Sequence, residues 1–204
     1  MVVATWFTAD LHFGHVNIIR YCDRPFADVE EMDSTLIWRW NQTVGDDDTV
    51  WVLGDLALGS INHGMAIIGS LRGRKLLLAG NHDRCWYGHG RRAKGWTERY
   101  LDAGFAEVHQ GTVPLVVGGT EVDANHFPYR GDSHDQDRYL EHRPVDHGGW
   151  LLHGHVHESW GQQGRMINVG VDVCDYRPIS EQAVADVMAA GPANRPVLTA
   201  TRRV

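Results

Sequence analysis

Residues 2–12 read VVATWFTADLH and show the pattern from which the fold is predicted. The β-branched and aromatic side chains of 2–9 are typical of a buried strand. The strand ends at Asp10 and His12, whose carboxylate and imidazole are common metal ligands. The sequence therefore predicts a strand that brings two possible ligands to the edge of a sheet.

The same order, a short buried strand followed by possible ligands, recurs along the chain. The later examples are 49–53 before Gly54-Asp55, 75–79 before GNHD at 80–83, a return strand before Asn125-His126, and 150–153 before Gly154-His155-Val156-His157. Strands alternate with helices in the first half, and the second half is rich in strands. This order predicts a layered α/β (α+β) domain with helices outside the sheets.

The other predicted elements complete this outline. Helices are predicted over 28–44, over 62–71, near 97–103, and over 181–190 with Ser180 as the cap. A β-hairpin is predicted over 105–127 with its turn at Gly118-Gly119, an irregular segment over 129–149, and a strand over 166–173. The sequence shows no repeat or linker, so residues 1–204 are expected to form one domain.

The composition narrows the classes of function. The formal net charge of −7 argues against a non-specific grip on duplex DNA or on an anionic membrane, which needs many cations. Three scattered cysteines indicate a reducing compartment and no disulfide framework. We find no signal peptide and no apolar run of ~20 residues, so we expect a cytoplasmic protein.

The ligand types at the strand ends favour a metal site. Ligands in layered α/β proteins collect beyond strand ends, so five strand ends are expected to converge. Aspartate with histidine suits Mn, Fe, Ni, Co or Zn, and the lack of cysteine among them argues against a structural zinc knot. Glycine precedes Asp55, Asn81 and His155, which is expected where the backbone approaches a metal without room for a Cβ.

Each motif alone also fits an ordinary turn, a helix cap or a core histidine, and only their combination in this order favours metal. One competing class, the metallo-β-lactamase-like hydrolases, requires His-x-His-x-Asp-His. Residues 153–158 read HGHVHE and lack the Asp-His pair, so that class is disfavoured.

The order Asp-x-His, Gly-Asp, Gly-Asn-His-Asp, His and Gly-His-x-His, from Asp10 to His157, resembles the calcineurin-like metallophosphoesterases. The segments TADLHFGHVNII, YCDRPF and VGVDVCDYRPIS resemble a subgroup of small bacterial and phage members. The resemblance implies a four-layer α/β/β/α sandwich, with two mixed sheets flanked by helices. It also implies two divalent metal ions, Mn²⁺ first, with Fe, Ni, Co or Zn as alternatives.

The resemblance also implies a role for each matched residue. The first metal would be held by Asp10, His12, Asp55 and His157. The second would be held by Asp55, Asn81, His126 and His155, with Asp55 bridging the two. A hydroxide bridging the metals would attack phosphorus, and His82 would bind phosphate and donate a proton to the leaving oxygen. His153 has no role in the resemblance and is expected in the core or next to the metal ligands.

Further residues are expected around the substrate. Asp83 is predicted to orient His82, Arg130 to bind a non-bridging oxygen, and His15 and Asn17 to begin a helix aimed at the phosphate. The basic segment 84–99 is predicted to be a loop or lid that is either solvated or holds a nucleotide phosphate.

The expected activity is hydrolysis of small phosphodiesters such as 2′,3′-cyclic nucleotides, with no duplex DNA and no membrane as partner. A phosphomonoesterase and a non-enzymatic, metal-dependent protein-binding scaffold remain as alternatives, and the oligomeric state stays open. GDLALGS at 54–60 lacks the Asp-Arg-Gly continuation of protein Ser/Thr phosphatases. The chain also lacks room for the extra domains of the DNA-repair nucleases in this family.

Overall fold

The computed structural model describes residues 3–198, which form two mixed β-sheets with helices packed against them. The strands are β1 Thr5–Thr8, β2 Thr49–Val52, β3 Arg74–Leu78, β4 Phe105–His109, β5 Val113–Val117, β6 Thr120–Ala124, β7 Leu151–His153, β8 Gln162–Gly164, β9 Met166–Asn168, β10 Ile179–Ser180 and β11 Ala193–Arg195. The α-helices are α1 Val16–Tyr21, α2 Val29–Thr43, α3 Ile61–Ile68, α4 Trp96–Asp102 and α5 Glu181–Ala189.

The strand order places the predicted ligand-bearing strands next to one another. The first sheet has the order β10-β1-β2-β3-β4, in which β1 to β4 are parallel and β10 is antiparallel. The second has the order β11-β8-β9-β7-β6-β5, in which β6, β7 and β9 are parallel. Because parallel strands end at the same edge, the turns after β1, β2 and β3 are neighbours.

Two buried clusters hold the layers together, one on each face of the first sheet. Trp40 of α2 and Val52 of β2 belong to the cluster beneath the helices. Leu53 belongs with Leu152 and Ile167 to the cluster between the sheets. Side chains alternate across a strand, so the adjacent residues 52 and 53 point into different clusters. Replacing the fully buried Trp40 by alanine would cost about 3–5 kcal/mol.

The predicted architecture, two mixed sheets flanked by helices, is confirmed. The α2 helix matches the segment predicted over 28–44, and Asp28 caps it by accepting the N–H of Glu31. Ser180 caps α5 by accepting the N–H of Ala183, as predicted. Helix α5 contacts β1, β5 and β10, so it packs against both sheets.

Two predicted elements are wrong in detail. The hairpin predicted over 105–127 is shorter, because β4 pairs with β3 in the first sheet and only β5 and β6 pair across Gly118-Gly119. The chain passes from one sheet to the other between 109 and 113, where Gly111 has a φ of 68°. The strand predicted over 166–173 ends at Asn168 and is followed by a 3₁₀ turn over Val171–Val173.

Some shorter elements were not predicted. Strands β8, β10 and β11 have two or three residues each, too few to show a period in the sequence. The strand predicted over 2–9 is observed as Thr5–Thr8, and residue 2 lies outside the described residues. Within residues 3–198, no helix has the length and apolar character needed to cross a bilayer.

Candidate metal centre

The turns that follow the central strands bring the predicted ligands into two groups. Backbone hydrogen bonds join these turns, from Asp10 N–H to Gly54 O and from His12 N–H to Asp55 O, each at 3.0 Å. Possible ligand atoms lie within 4.8 Å of one another in each of two clusters. The clusters are Asp10, His12 and His157, and Asp10, Asp55 and His126.

Asp55 occupies the middle of this arrangement. Its Oδ2 lies 3.7 Å from His12 Nε2 and 3.5 Å from His126 Nε2, residues predicted to serve different metals. Its Oδ1 accepts the N–H of His82 at 2.8 Å. The side chain is 1% exposed. A carboxylate between two imidazoles has the position that a shared ligand requires.

The backbone is strained where it presents these side chains. Positive φ angles occur at five predicted ligands, Asp10, His12, Asp55, His155 and His157. Positive φ is uncommon for non-glycine residues, and such strain collects at functional sites. The left-handed conformation turns the chain sharply after each strand, so that the side chain faces the common centre instead of continuing along the sheet.

The glycines that precede the ligands are required by close contacts. A Cβ on Gly54 would lie 2.5 Å from His126 Nδ1, and the residue has a φ of 90°. A Cβ on Gly154 would lie 2.6 Å from Asp10 Oδ2. The predicted lack of room for a Cβ is confirmed at both positions.

Buried polar atoms at the centre lack protein partners and fit a bound cation. Asp10 Oδ1 and both ring nitrogens of His12 are buried without a hydrogen bond within residues 3–198. Leaving such a group unsatisfied costs about 1–3 kcal/mol. A divalent cation would satisfy the carboxylate oxygen and one nitrogen of the imidazole.

The second group shows the same fit. His126 Nδ1 donates to the carbonyl of Leu53 at 2.8 Å. In the neutral ring the other nitrogen, Nε2, is then unprotonated, and its lone pair is free to accept. That nitrogen faces Asn81 Oδ1 at 3.1 Å. With the amide assigned this way, two acceptors face each other, an arrangement that a cation bound to both would stabilise.

A carboxylate outside the predicted set orients His155. The His155 Nε2–H donates to Asp132 Oδ2 at 3.0 Å, so Nδ1 is the ring nitrogen left for a metal. Asp132 also accepts from Arg138 and Arg143. Burial would raise the pKa of Asp132, but the bonds from His155 and Arg138 hold it well below its usual value. The irregular segment 129–149 gave no sequence signal for this role.

A second unpredicted carboxylate holds His157. The Nδ1 of His157 lies 3.4 Å from Asp172 Oδ2, which leaves Nε2 directed away from that bond. Arg24 forms a two-point ion pair with Asp172, at 2.8 and 2.9 Å. Both partners lie in segments noted for their resemblance, YCDRPF and VGVDVCDYRPIS, but 148 residues separate them. The sequence gave no reason to pair them.

The pKa values of the histidines suit metal binding to different degrees. Burial, with the nearby charge of His157, lowers the pKa of His12 well below its usual value. Burial lowers the pKa of His155 to about 4, so its ring is neutral at pH 7. Burial would also lower the pKa of His157, but bonds to Asp172 and Cys22 raise it well above its usual value. A metal at His157 must therefore displace a proton.

Cys22 lies close to the first group, although no cysteine was expected there. Its Sγ, His157 and Asp172 form a third cluster within 4.8 Å. Asp172 is engaged by Arg24, and burial raises the pKa of the Cys22 thiol. A thiolate site is therefore not favoured. The predicted core position of His153 holds, because it is fully buried and its ring contacts Trp160.

His82 stands at the mouth of the centre. Its side chain is 40% exposed, and its Nε2 lies 4.0 Å from Asp55 Oδ2. It borders an open cleft of about 370 Å³. The lining residues include His12, His15, Tyr21, Cys22, Asn81, His82, Ser133, His134, Arg138, His155, His157 and Glu158. Such a cleft can admit a small ester beside the ligands.

The structure places Asp83 in a different role from the predicted one. Its carboxylate accepts backbone N–H groups of Asp55, Leu56 and Gly80, at 2.8, 3.1 and 2.9 Å. No hydrogen bond joins it to His82 in the described chain. Burial and the Asp55 charge raise the pKa of Asp83 to about 7. The predicted orientation of His82 by Asp83 is wrong, because this carboxylate fixes the turn that carries Asp55.

The other predicted substrate contacts divide into those at the cleft and those away from it. His15 precedes α1 and lines the cleft, whereas Asn17 is exposed on that helix and does not. Arg130 pairs with Asp146 on the surface and does not line the cleft either. Arg138 lines it instead. The irregular segment 129–149 has no period from which the sequence could show which of its arginines lies at the cleft.

The basic segment 84–99 lies beside the cleft without lining it. It forms a 3₁₀ turn over Tyr87–Ala93 and the helix α4. Arg84 and Arg99 stack on Trp96, with 4.9 and 4.3 Å to the ring centre. Of the two predicted alternatives, the described contacts favour a solvated segment braced by this stack.

Sequence relatives define the family of the chain. No protein-family model matches it. The Gene 66 protein of Mycobacterium phage L5 is 39% identical over 198 residues, which cover 90% of this chain and 93% of the relative. The chain belongs to the Gene 66 protein family. The member from Mycobacterium phage D29 is 37% identical over 187 residues, covering 86% and 92%.

More distant similarities reach beyond the phages. An uncharacterized protein of Methanocaldococcus jannaschii is 29% identical over 198 residues, covering 93% of each chain. The crystal structure of AQ665 from Aquifex aeolicus, a protein of unknown function, has a TM-score of 0.67 at 25% identity and covers 91% of this chain and 100% of its own. A structure described as a novel archaeal phosphodiesterase reaches a TM-score of only 0.44 at 16% identity, covering 85% and 87%, and supports no statement about activity.

Proposed function

We propose that this Gene 66 family member is a metal-dependent phosphoesterase of the calcineurin-like superfamily, acting as one domain. The observation that carries the proposal is Asp55 Oδ2, which lies 3.7 Å from His12 Nε2 and 3.5 Å from His126 Nε2. In the proposed ligand sets this carboxylate would serve both ions. Two-metal sites of this kind are typical of phosphoester hydrolysis.

The chain would hold two divalent ions, Mn²⁺ first, through the residues already predicted. The ligand residues are Asp10, His12, Asp55 and His157 for one ion and Asp55, Asn81, His126 and His155 for the other. When bound, such ions supply Lewis-acid charge for the phosphoryl oxygens and activate water at neutral pH. A mixed carboxylate, imidazole and amide set suits Mn²⁺ and its neighbours in the transition series.

His82 would act as the proton donor to the leaving oxygen. Its ring is partly exposed at the cleft, and its backbone N–H is fixed by Asp55 Oδ1. General acid catalysis by a positioned imidazole contributes about 10²–10⁴-fold. The exposed position lets the ring reach a leaving group on the solvent side of the ligands.

The finer proposal is a preference for small phosphodiesters, including 2′,3′-cyclic nucleotides. A cleft of about 370 Å³ suits a ligand of nucleotide size better than a folded protein. Tyr21 lies at its rim with a 60% exposed side chain that could stack on a base. The net charge of −7 disfavours duplex DNA as the substrate.

The decisive experiment compares variants on a chromogenic phosphodiester with Mn²⁺. His82→Ala should lower kcat by about 10²–10⁴-fold while leaving metal content unchanged. Asp55→Asn should lower both kcat and metal content. His147→Ala, an exposed histidine outside the cleft, is the control and should behave as the unmodified protein. Full activity in Asp55→Asn at unchanged metal content would contradict the proposal. A higher kcat/KM for the matching monoester would contradict the diester preference alone.

A further inference from the structure

Behind one wall of the cleft, a carboxylate connects a histidine of the candidate metal site with an arginine that lines the cleft. Asp132 Oδ2 accepts from His155 Nε2 at 3.0 Å, and its Oδ1 accepts from Arg138 Nη2 at 2.7 Å. The Asp132 side chain has no exposed surface. A buried charge is retained only where it is paired and hydrogen-bonded, which this one is.

The position of Asp132 is fixed from several sides. Arg143, whose side chain is 3% exposed, donates to Oδ2 at 3.1 Å. The backbone N–H groups of His134 and Arg138 donate at 3.2 and 3.0 Å. The carboxylate therefore cannot turn freely, and the ring of His155 keeps Nδ1 as its only available nitrogen. Such outer partners commonly set metal affinity.

Arg138 has donors left over after it binds Asp132. Its Nε and Nη2 are used at 3.1 and 2.7 Å, and Nη1 makes no hydrogen bond within residues 3–198. The side chain is 41% exposed and lines the cleft with His12, Asn81 and His155. Its guanidinium is thus held rigidly with one edge open, the form in which arginine binds phosphate oxygens.

The charges of this cluster favour an anion. Asp132 pairs with both Arg138 and Arg143, so these three side chains together carry one net positive charge. This occurs in a protein with a formal net charge of −7. If Arg138 served only to neutralise Asp132, the buried Arg143 would make it redundant.

We propose that Asp132 is a positioning residue for the second metal through His155, and that Arg138, held by the same carboxylate, binds a phosphate oxygen of the substrate. The proposal deepens the proposed function and rests on it for the identity of the anion. Mn²⁺ binding and phosphate binding can each be measured without catalytic turnover.

The first experiment titrates metal-free protein with Mn²⁺ by calorimetry. Asp132→Asn keeps the shape but loses the charge that fixes His155, so Mn²⁺ affinity at the weaker site should fall about 10- to 100-fold. Asp146→Asn, which removes an exposed surface carboxylate paired with Arg130, is the matched control and should stay within experimental error. Unchanged affinity in folded Asp132→Asn would overturn the positioning role.

The second experiment measures binding of inorganic phosphate to the Mn²⁺-loaded protein. Arg138→Gln should weaken phosphate binding about 10- to 100-fold, the loss expected for a charge-assisted hydrogen bond. Arg177→Gln is the matched control, because Arg177 is 45% exposed, pairs with Asp175 and lies outside the cleft. Since Arg138 is at the surface, its variant should fold even if Asp132→Asn does not.

The outcomes separate this inference from the proposed function. Phosphate affinity that is normal in Arg138→Gln, or that is lost in Arg130→Gln instead, would overturn the role of Arg138. Loss of Mn²⁺ and phosphate affinity in the two variants, in a protein that hydrolyses no phosphate ester, would support the inference and contradict the proposed function.

Discussion

His155 and His157 are two residues apart, yet the protein supports them in contrasting ways. His157 is held by Asp172, which is locked by Arg24, and both side chains are almost wholly buried. His155 is held by Asp132, which is locked in part by Arg138, a side chain open to the cleft. The same arrangement of histidine, carboxylate and arginine therefore lies in the interior of the fold at His157 and reaches the cleft at His155.

This contrast indicates which half of the centre is supported from the interior of the fold and which half is supported from the cleft. The Asp172 side joins Arg24 and Asp172, which are 148 residues apart in sequence, so this pair connects distant segments around the centre. The Asp132 side draws its partners from one irregular segment, 129–149, whose surface residues can vary without disturbing the core.

The largest expected effect is the loss of stability when the buried pair is broken. Asp172→Ala leaves Arg24 charged and buried without its partner, which should lower the free energy of unfolding by about 3–5 kcal/mol. Denaturant unfolding of the metal-free protein measures it. Asp175→Ala removes two partly exposed ion pairs, with Arg39 and Arg177, and should cost about 1 kcal/mol or less. Equal costs for the two variants would contradict the stabilising role of the buried Arg24–Asp172 pair.

The next effect separates the three histidines of LLHGHVHE. His155→Ala and His157→Ala should each weaken Mn²⁺ binding by more than the 10- to 100-fold typical of outer partners, because each removes a ligand. His153→Ala should lower stability and leave metal affinity nearly unchanged, since its ring packs on Trp160. Calorimetric titration and thermal unfolding of the same samples test this. If His153→Ala lost as much Mn²⁺ affinity as His155→Ala and His157→Ala, His153 would have to be part of the metal site.

A smaller effect concerns pH. The raised pKa of His157 means that the metal-free ring carries a proton at pH 7, which Mn²⁺ must release. Metal affinity should therefore rise as the pH rises, by up to about tenfold per pH unit, until the ring is neutral. Asp172→Asn removes the charge that raises this pKa and should flatten the dependence near pH 7. A pH-independent affinity in the unmodified protein would argue against His157 as a ligand.

The clustering of the candidate ligand residues could be predicted from the sequence because several of them directly follow a strand. Asp10, Asp55 and Asn81 come just after buried apolar runs, and parallel pairing places such residues together. The left-handed turns that aim them were signalled only indirectly, by neighbouring glycines such as Gly54.

The supports could not be predicted, for physical reasons. Arg24 and Asp172 meet only after the chain has folded, across a separation of 148 residues, and neither stands in a periodic pattern. Asp132 lies in a segment without helix or strand period, so nothing in the sequence shows which way it faces. The same lack of pattern explains why the sequence does not distinguish Arg138, which lines the cleft, from Arg130, which does not.

The most direct test counts bound metal. Protein stripped of metal, reloaded with Mn²⁺ and freed of excess should hold two ions per chain, and Asp55→Asn should hold at most one, because we propose Asp55 as the ligand that both ions share. His147→Ala should match the unmodified protein. No bound ion in the unmodified protein, or two ions in Asp55→Asn, would contradict a centre built around Asp55.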